Sequence, residues 1–163
     1  MKLLIAMALL AAAALWSCAP RALKEMPATP TSSDQDIDEI HWEQFGPPLP
    51  PEYNHSFNVI LSRRQQSISI DSLRSAGIEV VRKLETRDFD RILALKSQYQ
   101  IGFGPPLSFD GCIGGSGSRL AFFKEGTELG KGKLIDCGGQ QRTNIDGNLF
   151  AFFDAIRRLA FEE

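Results

Sequence analysis

Apolar and polar positions alternate twice in the middle of the chain. Phe57, Val59 and Leu61 mark one run, Ile68 and Ile70 a second, and Arg63-Arg64-Gln65-Gln66 separate them. A period of two broken by a polar turn predicts a β-hairpin. Gly77 precedes a third expected strand over Ile78 to Leu84. Thr86 is placed to cap a helix through about Gln98, with Phe89, Ile92, Leu93 and Leu95 or Lys96 at helical spacing. The order then repeats as a strand from Leu120 to Phe123, a turn at Glu125-Gly126 and a return strand from Leu129 to Cys137. Asn144 or Asp146 is the expected cap of a last helix, whose core face is Leu149, Phe152, Phe153, Ile156 and Leu159. The pattern predicts an α+β fold: an antiparallel sheet of about five strands with two helices packed on one face.

A pentapeptide adds a further layer. Phe45-Gly46-Pro47-Pro48-Leu49 recurs as Phe103-Gly104-Pro105-Pro106-Leu107, and each copy precedes a hairpin and then a helix. The same offset sets Asp88 on Asp146 and Ile92 on Phe150. This suggests a duplicated strand–strand–helix unit, in which Phe45 and Leu49 plug the core at places equivalent to those of Phe103 and Leu107. Two unrelated proline-rich turns are the other reading.

Ahead of the hairpin, Ser33 to Phe45 begins with a capping residue and acids suited to a helix start. Ile37, Ile40, His41 and Gln44 fall on one helical face, with Trp42 and Phe45 close by. Two readings stay open: a short helix docked on its own domain, or a partner-binding segment built on Ile37, Ile40, Trp42 and Phe45 that folds on contact. Asp34, Asp36 and Asp38 match the first ligands of a calcium loop. Glu39 stands where that loop needs glycine and Phe45 where it needs a glutamate, so no metal site is assigned.

The amino terminus has a different character. Met1-Lys2 leads into thirteen apolar residues, Leu3 to Leu15, too few for a membrane-spanning helix but the length of a signal-peptide core. Leu15-Trp16-Ser17-Cys18 follows, and it resembles the lipobox of bacterial lipoproteins. The resemblance implies cleavage between Ser17 and Cys18, a diacylglycerol thioether on Cys18 and an acylated new amino group. Trp16 is bulkier than the pattern usually carries, at its permissive position. Ala19 after the cysteine implies the outer membrane where a cell has two. A secretory signal cleaved elsewhere and an uncleaved anchor are the competing readings.

Only now does composition sharpen the picture. The 163 residues, 43% hydrophobic and 23% charged with net charge −2, fit one globular domain plus extra chain and exclude a wholly disordered protein. The near-neutral balance also argues against nucleic-acid binding. Residues 19–56 hold seven of the nine prolines and seven acids against two basic residues. The expected division is therefore a signal peptide (1–17), a lipidated cysteine with an acidic proline-rich tether (18–56), and an α+β domain (57–163). With Cys18 lipidated, Cys112 and Cys137 remain, and two thiols in an oxidising compartment read as one disulfide.

Twelve of the fourteen glycines lie between residues 102 and 147. Loops around Cys112 and Cys137 would be held side by side by the bridge. There Ser116, Ser118, Arg119, Gln140, Gln141 and Arg142 form the candidate binding surface. Glycines that serve only backbone geometry are the other reading. Gly126-Thr127-Glu128-Leu129-Gly130-Lys131-Gly132 falls one residue short of a phosphate loop, and Gly130-Lys131-Gly132 fails the dinucleotide spacing. Both histidines, His41 and His55, fall in the tether, which argues against a histidine-based triad or zinc site in the domain. Asp110 and Asp136, beside the two cysteines, are the carboxylates to inspect for hydrolysis.

The sequence thus leads to a lipid-tethered envelope protein, non-catalytic and without a cofactor, that binds another protein or the cell wall. An inhibitor or immunity lipoprotein is the alternative within binding, and a small hydrolase using Asp110 or Asp136 is the alternative outside it.

Overall fold

The computed structural model describes residues 34–47, 56–72, 78–107 and 115–162. Its element order is a 3-10 turn (Asp34–Asp36), β1 (Glu39–Phe45), β2 (Phe57–Ser62), β3 (Ser67–Ser72), β4 (Ile78–Lys83), α1 (Thr86–Gln98), β5 (Gly102–Phe103), β6 (Ser116–Lys124), β7 (Thr127–Cys137), β8 (Gln140–Thr143), β9 (Ile145–Asp146) and α2 (Leu149–Phe161). The fold is α+β, but the main sheet has seven strands rather than about five, in the order β4-β3-β2-β1-β6-β7-β8. Every pairing in it is antiparallel. β5 and β9 form a separate two-stranded ribbon.

The largest departure from expectation is β1. The segment read as a helix of the tether is the central strand, paired with β2 on one side and β6 on the other. Ile40 and Trp42 are buried while Glu39, His41 and Glu43 on the opposite face are half-buried. That is a period of two, and ladder bonds to both neighbours outweigh the helical spacing of Ile37, Ile40 and Gln44. Consequently the domain reaches back at least to Asp34, and Ile37, Ile40 and Trp42 are core residues rather than a partner-binding segment.

Register aligns the core in rows. Trp42 stands opposite Val59 and Leu120, and Val59 opposite Ile70. Ile40 stands opposite Leu61 and Phe122, and Leu61 opposite Ile68. All eight are buried, and each large apolar side chain removed from water contributes about 1.5–3 kcal/mol before the entropy of ordering it. The α2 ring of Phe153 stacks on Trp42 with centroids 4.9 Å apart, and Phe152 meets Phe122 edge-on at 6.4 Å. From α1, Phe89, Ile92 and Leu93 join the same buried cluster.

Turn chemistry closes the hairpins as expected. Glu125 and Gly126 have φ of 50° and 79°, the backbone that a two-residue hairpin turn demands. α2 is capped by Asn148, whose side chain accepts from Ala151 N–H at 3.3 Å, in place of Asn144 or Asp146. α1 starts at Thr86 without a side-chain cap from its preceding residue, Glu85.

The two proline-rich pentapeptides are not equivalent. Phe103 packs in the core, 5.3 Å from the Phe122 ring. Phe45 lies on the opposite face, where the Arg119 guanidinium sits 5.1 Å above its ring. Ile92 is buried whereas Phe150, its counterpart at the repeat offset, is 62% exposed. The expectation that the two copies plug matching places is not met for Phe45 and Phe103, and Leu49 lies outside the described residues.

Candidate functional site

Register brings the predicted surface residues onto β6 and β8, on either side of β7, but splits them between two faces. Ser116 faces Asp136 across β6–β7, and Asp136 faces Gln141 across β7–β8. Ser118 faces Leu134 on that same side and is buried. Arg119, Gln140 and Arg142 alternate to the outer face, as a strand period of two requires. Gln140, Gln141 and Arg142 are all exposed on the edge strand β8. The six residues therefore form an outer group and an inner group rather than one converging site.

The outer group has neighbours that the sequence did not reveal. Arg119 Nη1 donates to Glu43 Oε2 at 2.7 Å and covers the Phe45 ring. Phe45 in turn lies over Gly117, where an added Cβ would stand 2.8 Å from its Cζ. Gly117 thus lets the β7 backbone at Leu134 and the Phe45 ring both approach β6 more closely than a side chain would allow. Directly across β7, Lys133 stands opposite Arg119. The row extends over the sheet as Lys133, Arg119, Glu43, Asn58 and Asp71, basic at one end and acidic at the other. Arg142 is on this face too, opposite Ile135.

His41 also belongs to the outer face rather than to a tether. Its ring lies 4.4 Å from that of Phe123, and Nε2 is 3.1 Å from Glu39 Oε2. His55 lies outside the described residues.

The acids assigned to the tether have structural partners. Asp34 Oδ1 accepts from Lys96 Nζ at 2.6 Å and its other oxygen accepts from Ser97 Oγ. Asp36 Oδ1 accepts from Lys124 Nζ at 2.6 Å, and Asp38 Oδ2 accepts from Glu125 N–H at 2.9 Å. The Asp36 carboxylate beside it holds the Lys124 ammonium above the usual lysine range. Three carboxylates of a calcium loop would converge on one point, whereas these three engage different elements. Among the described residues no group of three or more metal-ligating side chains comes together.

The chemistry around the cysteines is partly visible. Cys137 is disulfide-bonded. Cys18, Cys112 and Asp110 lie outside the described residues. Asp136 Oδ1 accepts from Gly139 N–H at 2.8 Å, tying down the β7–β8 turn. Gly138 and Gly139 supply that turn with φ of 63° and 87°. The Asp136 carboxylate thus has a local structural job.

Gly130 and Gly132, which approached two nucleotide-binding patterns, have a packing role. A Cβ on Gly130 would lie 2.6 Å from Phe103 Cδ2, and one on Gly132 would lie 2.8 Å from Phe103 Cδ1 and against Ile145. Alternate glycines on one face of β7 make the trough in which the β5–β9 ribbon sits. The sequence signal was a Gly-x-Gly inside a strand, which marks close approach of another element. Compared with known proteins, the chain matches no family model, no curated protein and no solved structure.

Proposed function

We propose that the protein is a lipid-anchored, non-catalytic binding module of the cell envelope. It is held on the membrane through Cys18 and engages an envelope protein or the cell wall through the outer face of β6–β8. The observation that carries the reading is the opposition of Arg119 and Lys133 across β6–β7. Like charges directly opposite each other cost stability, and here Glu43 offsets only one of them by a hydrogen bond. Such a local cost is expected where a surface meets an anionic group on a partner. The apolar run and Leu15-Trp16-Ser17-Cys18 support the anchor.

Strand directions support an orientation. Only fifteen residues separate Cys18 from Asp34, and a flexible chain of that length spans about 20 Å root-mean-square. The chain enters at Asp34 and β1 runs away from that point to Phe45, which stands opposite Gly117. Ser116 and Asp136 are at this far end, and so are Cys137 and the Gly138-Gly139 turn. The anchor would then sit at one end and the disulfide-bearing loops at the other. We also infer that both helices cover the inner face of the sheet, which leaves the outer face for a partner. The Phe153–Trp42 stack and the approach of Lys96 Nζ to within 5.3 Å of the Phe122 ring support this.

Crosslinking the lipidated protein in intact cells tests the reading. The wild-type chain should capture a discrete partner. The double variant Arg119→Glu/Lys133→Glu should lose it while remaining folded and membrane-bound. Unchanged capture by the double variant would remove the outer face from the contact. Normal processing and membrane retention of Cys18→Ser would remove the anchor.

A further inference from the structure

β4 ends the seven-stranded sheet, and among the described residues no strand pairs with its other side. The hydrogen-bond phase decides which of its backbone groups face that side. Leu84 N–H donates to Gln66 C=O at 2.8 Å, in register with the pairing of Lys83 and Ser67. Bonded and non-bonded pairs alternate along an antiparallel ladder. Arg82, Val80 and Ile78 therefore bond inward to β3. The N–H and C=O groups of Lys83, Val81 and Glu79 point away from it.

The opposite edge is different. Asn144 N–H donates to Lys133 C=O at 3.2 Å, so on β8 only Gln141 and Thr143 direct their backbone outward. All four β8 side chains are polar and exposed. β4 instead presents Val81 at 61% exposure and Val80 at 39%. Charged side chains on an edge, lysine above all, hold off an approaching strand unless that strand brings the opposite charge to meet them. β4 has an acid at position 79 and bases at 82 and 83. Turned antiparallel on itself, such a strand meets its own opposite charge.

We propose that β4 pairs with β4 of a second copy of the chain, antiparallel about Val81, to make one sheet continuous through two molecules. Twofold symmetry about that residue sets Val81 opposite Val81, Glu79 opposite Lys83 and Lys83 opposite Glu79. All three outward residues then lie in hydrogen-bonded pairs, giving about six interchain bonds by the alternation of the ladder. On the inner face Val80 meets the aliphatic stem of Arg82, whose charge reaches water. The neighbouring register, centred on Val80, sets Glu79 opposite Val81 and leaves Lys83 beyond the partner strand. Lys83 Nζ lies 2.7 Å from Glu85 within its own chain. At 71% exposure it gives up little by leaving that surface pair. The contact is isologous and closed, so it gives a dimer rather than a fibre. Nothing in it depends on the lipid anchor.

The test uses the full mature chain in detergent micelles, oxidised mildly and run on non-reducing gels. Val81→Cys should form a disulfide-linked dimer of twice the monomer mass, because residues opposed in a ladder fall within bridging range. Val80→Cys, diagonal to its own copy, should not. In sedimentation, wild type should be a dimer, and Glu79→Lys and Lys83→Glu should each shift it toward monomer. The double swap Glu79→Lys/Lys83→Glu should restore the dimer, with unchanged circular dichroism throughout. A monomeric wild type at every concentration would overturn the proposal. So would crosslinking of Val80→Cys in preference to Val81→Cys, or a double swap that does not recover.

Discussion

Asp34 and Lys96 meet across 62 positions of sequence, carboxylate oxygen to ammonium nitrogen at 2.6 Å, with the Asp34 side chain only 3% exposed. This contact ties the start of the described chain to the last turn of α1, and Ser97 donates to the same carboxylate. Removing one member of a buried pair leaves the other charge uncompensated. Asp34→Ala should therefore lower stability by about 2–4 kcal/mol. Asp36→Ala, whose partner Lys124 is exposed, should leave the urea midpoint unchanged. Equal midpoint shifts for the two variants would show that Asp34 is no clasp.

Truncation tests the place of β1 in the domain. A chain that begins at residue 57 lacks the strand joining the two halves of the sheet and should not fold cooperatively. Once residues 1–17 are removed, Trp42 is the single tryptophan, so its fluorescence reads out the central strand directly. Buried against Phe57 and Phe153, it should emit at short wavelength in the intact protein and shift red on unfolding.

Gly132→Ala tests the trough under the β5–β9 ribbon. The added methyl would press on Phe103 and Ile145, and overpacking of this kind costs about 1–3 kcal/mol. Ile145→Ala alone should also destabilise, by cavity formation. The double variant should be more stable than the sum of the two effects, because the methyl enters the space that Ile145 vacates. Strict additivity would show that the two sites do not touch.

Cys137→Ser should remove the disulfide that Cys137 makes. If the bridge closes on Cys112, a loop of about 25 residues is released and the loss is roughly 3–4 kcal/mol in the chain-entropy estimate. Cys112→Ser should give the same loss and the pair of substitutions no more than either. Peptide mass analysis without reductant identifies the partner directly; linkage to any residue other than Cys112 refutes the pairing.

Local patterns told most where the chain pairs with its near neighbours. The hairpin of β2 and β3, the Glu125-Gly126 turn and the core face of α2 follow from alternation, turn residues and helical spacing alone. β1 was hidden because its partners are distant: Ile40 meets Leu61 and Phe122. Its outer face is half-buried rather than exposed and carries Phe45, which blurs the alternation, while Ile37 and Ile40 imitate a helix. The acids around it read as tether charge because Lys96, Lys124 and the Glu125 amide are far along the chain. β5 and β9, two residues each, are too short to carry a period. Glycines 130 and 132 hinted at close approach but could not say of what. The candidate surface was half legible: register does gather Arg119, Gln140 and Arg142 on one face of β6 and β8, yet Glu43 comes from a pairing no local pattern shows, and the irregularity at Phe122/Phe123 hides that Lys133 stands opposite Arg119.

The position of β1 has a mechanical consequence. A chain held at its amino terminus delivers any load first at the Asp34–Lys96 contact and then along β1, which is gripped on both sides along its length. Tension between that point and the far end of β6–β8 runs parallel to the strands. The ladder bonds on both flanks then share the force in shear, and none can be peeled open one at a time as at a sheet edge. If the proposed anchor holds the chain by its amino terminus, pulling on it loads the domain along its strongest direction.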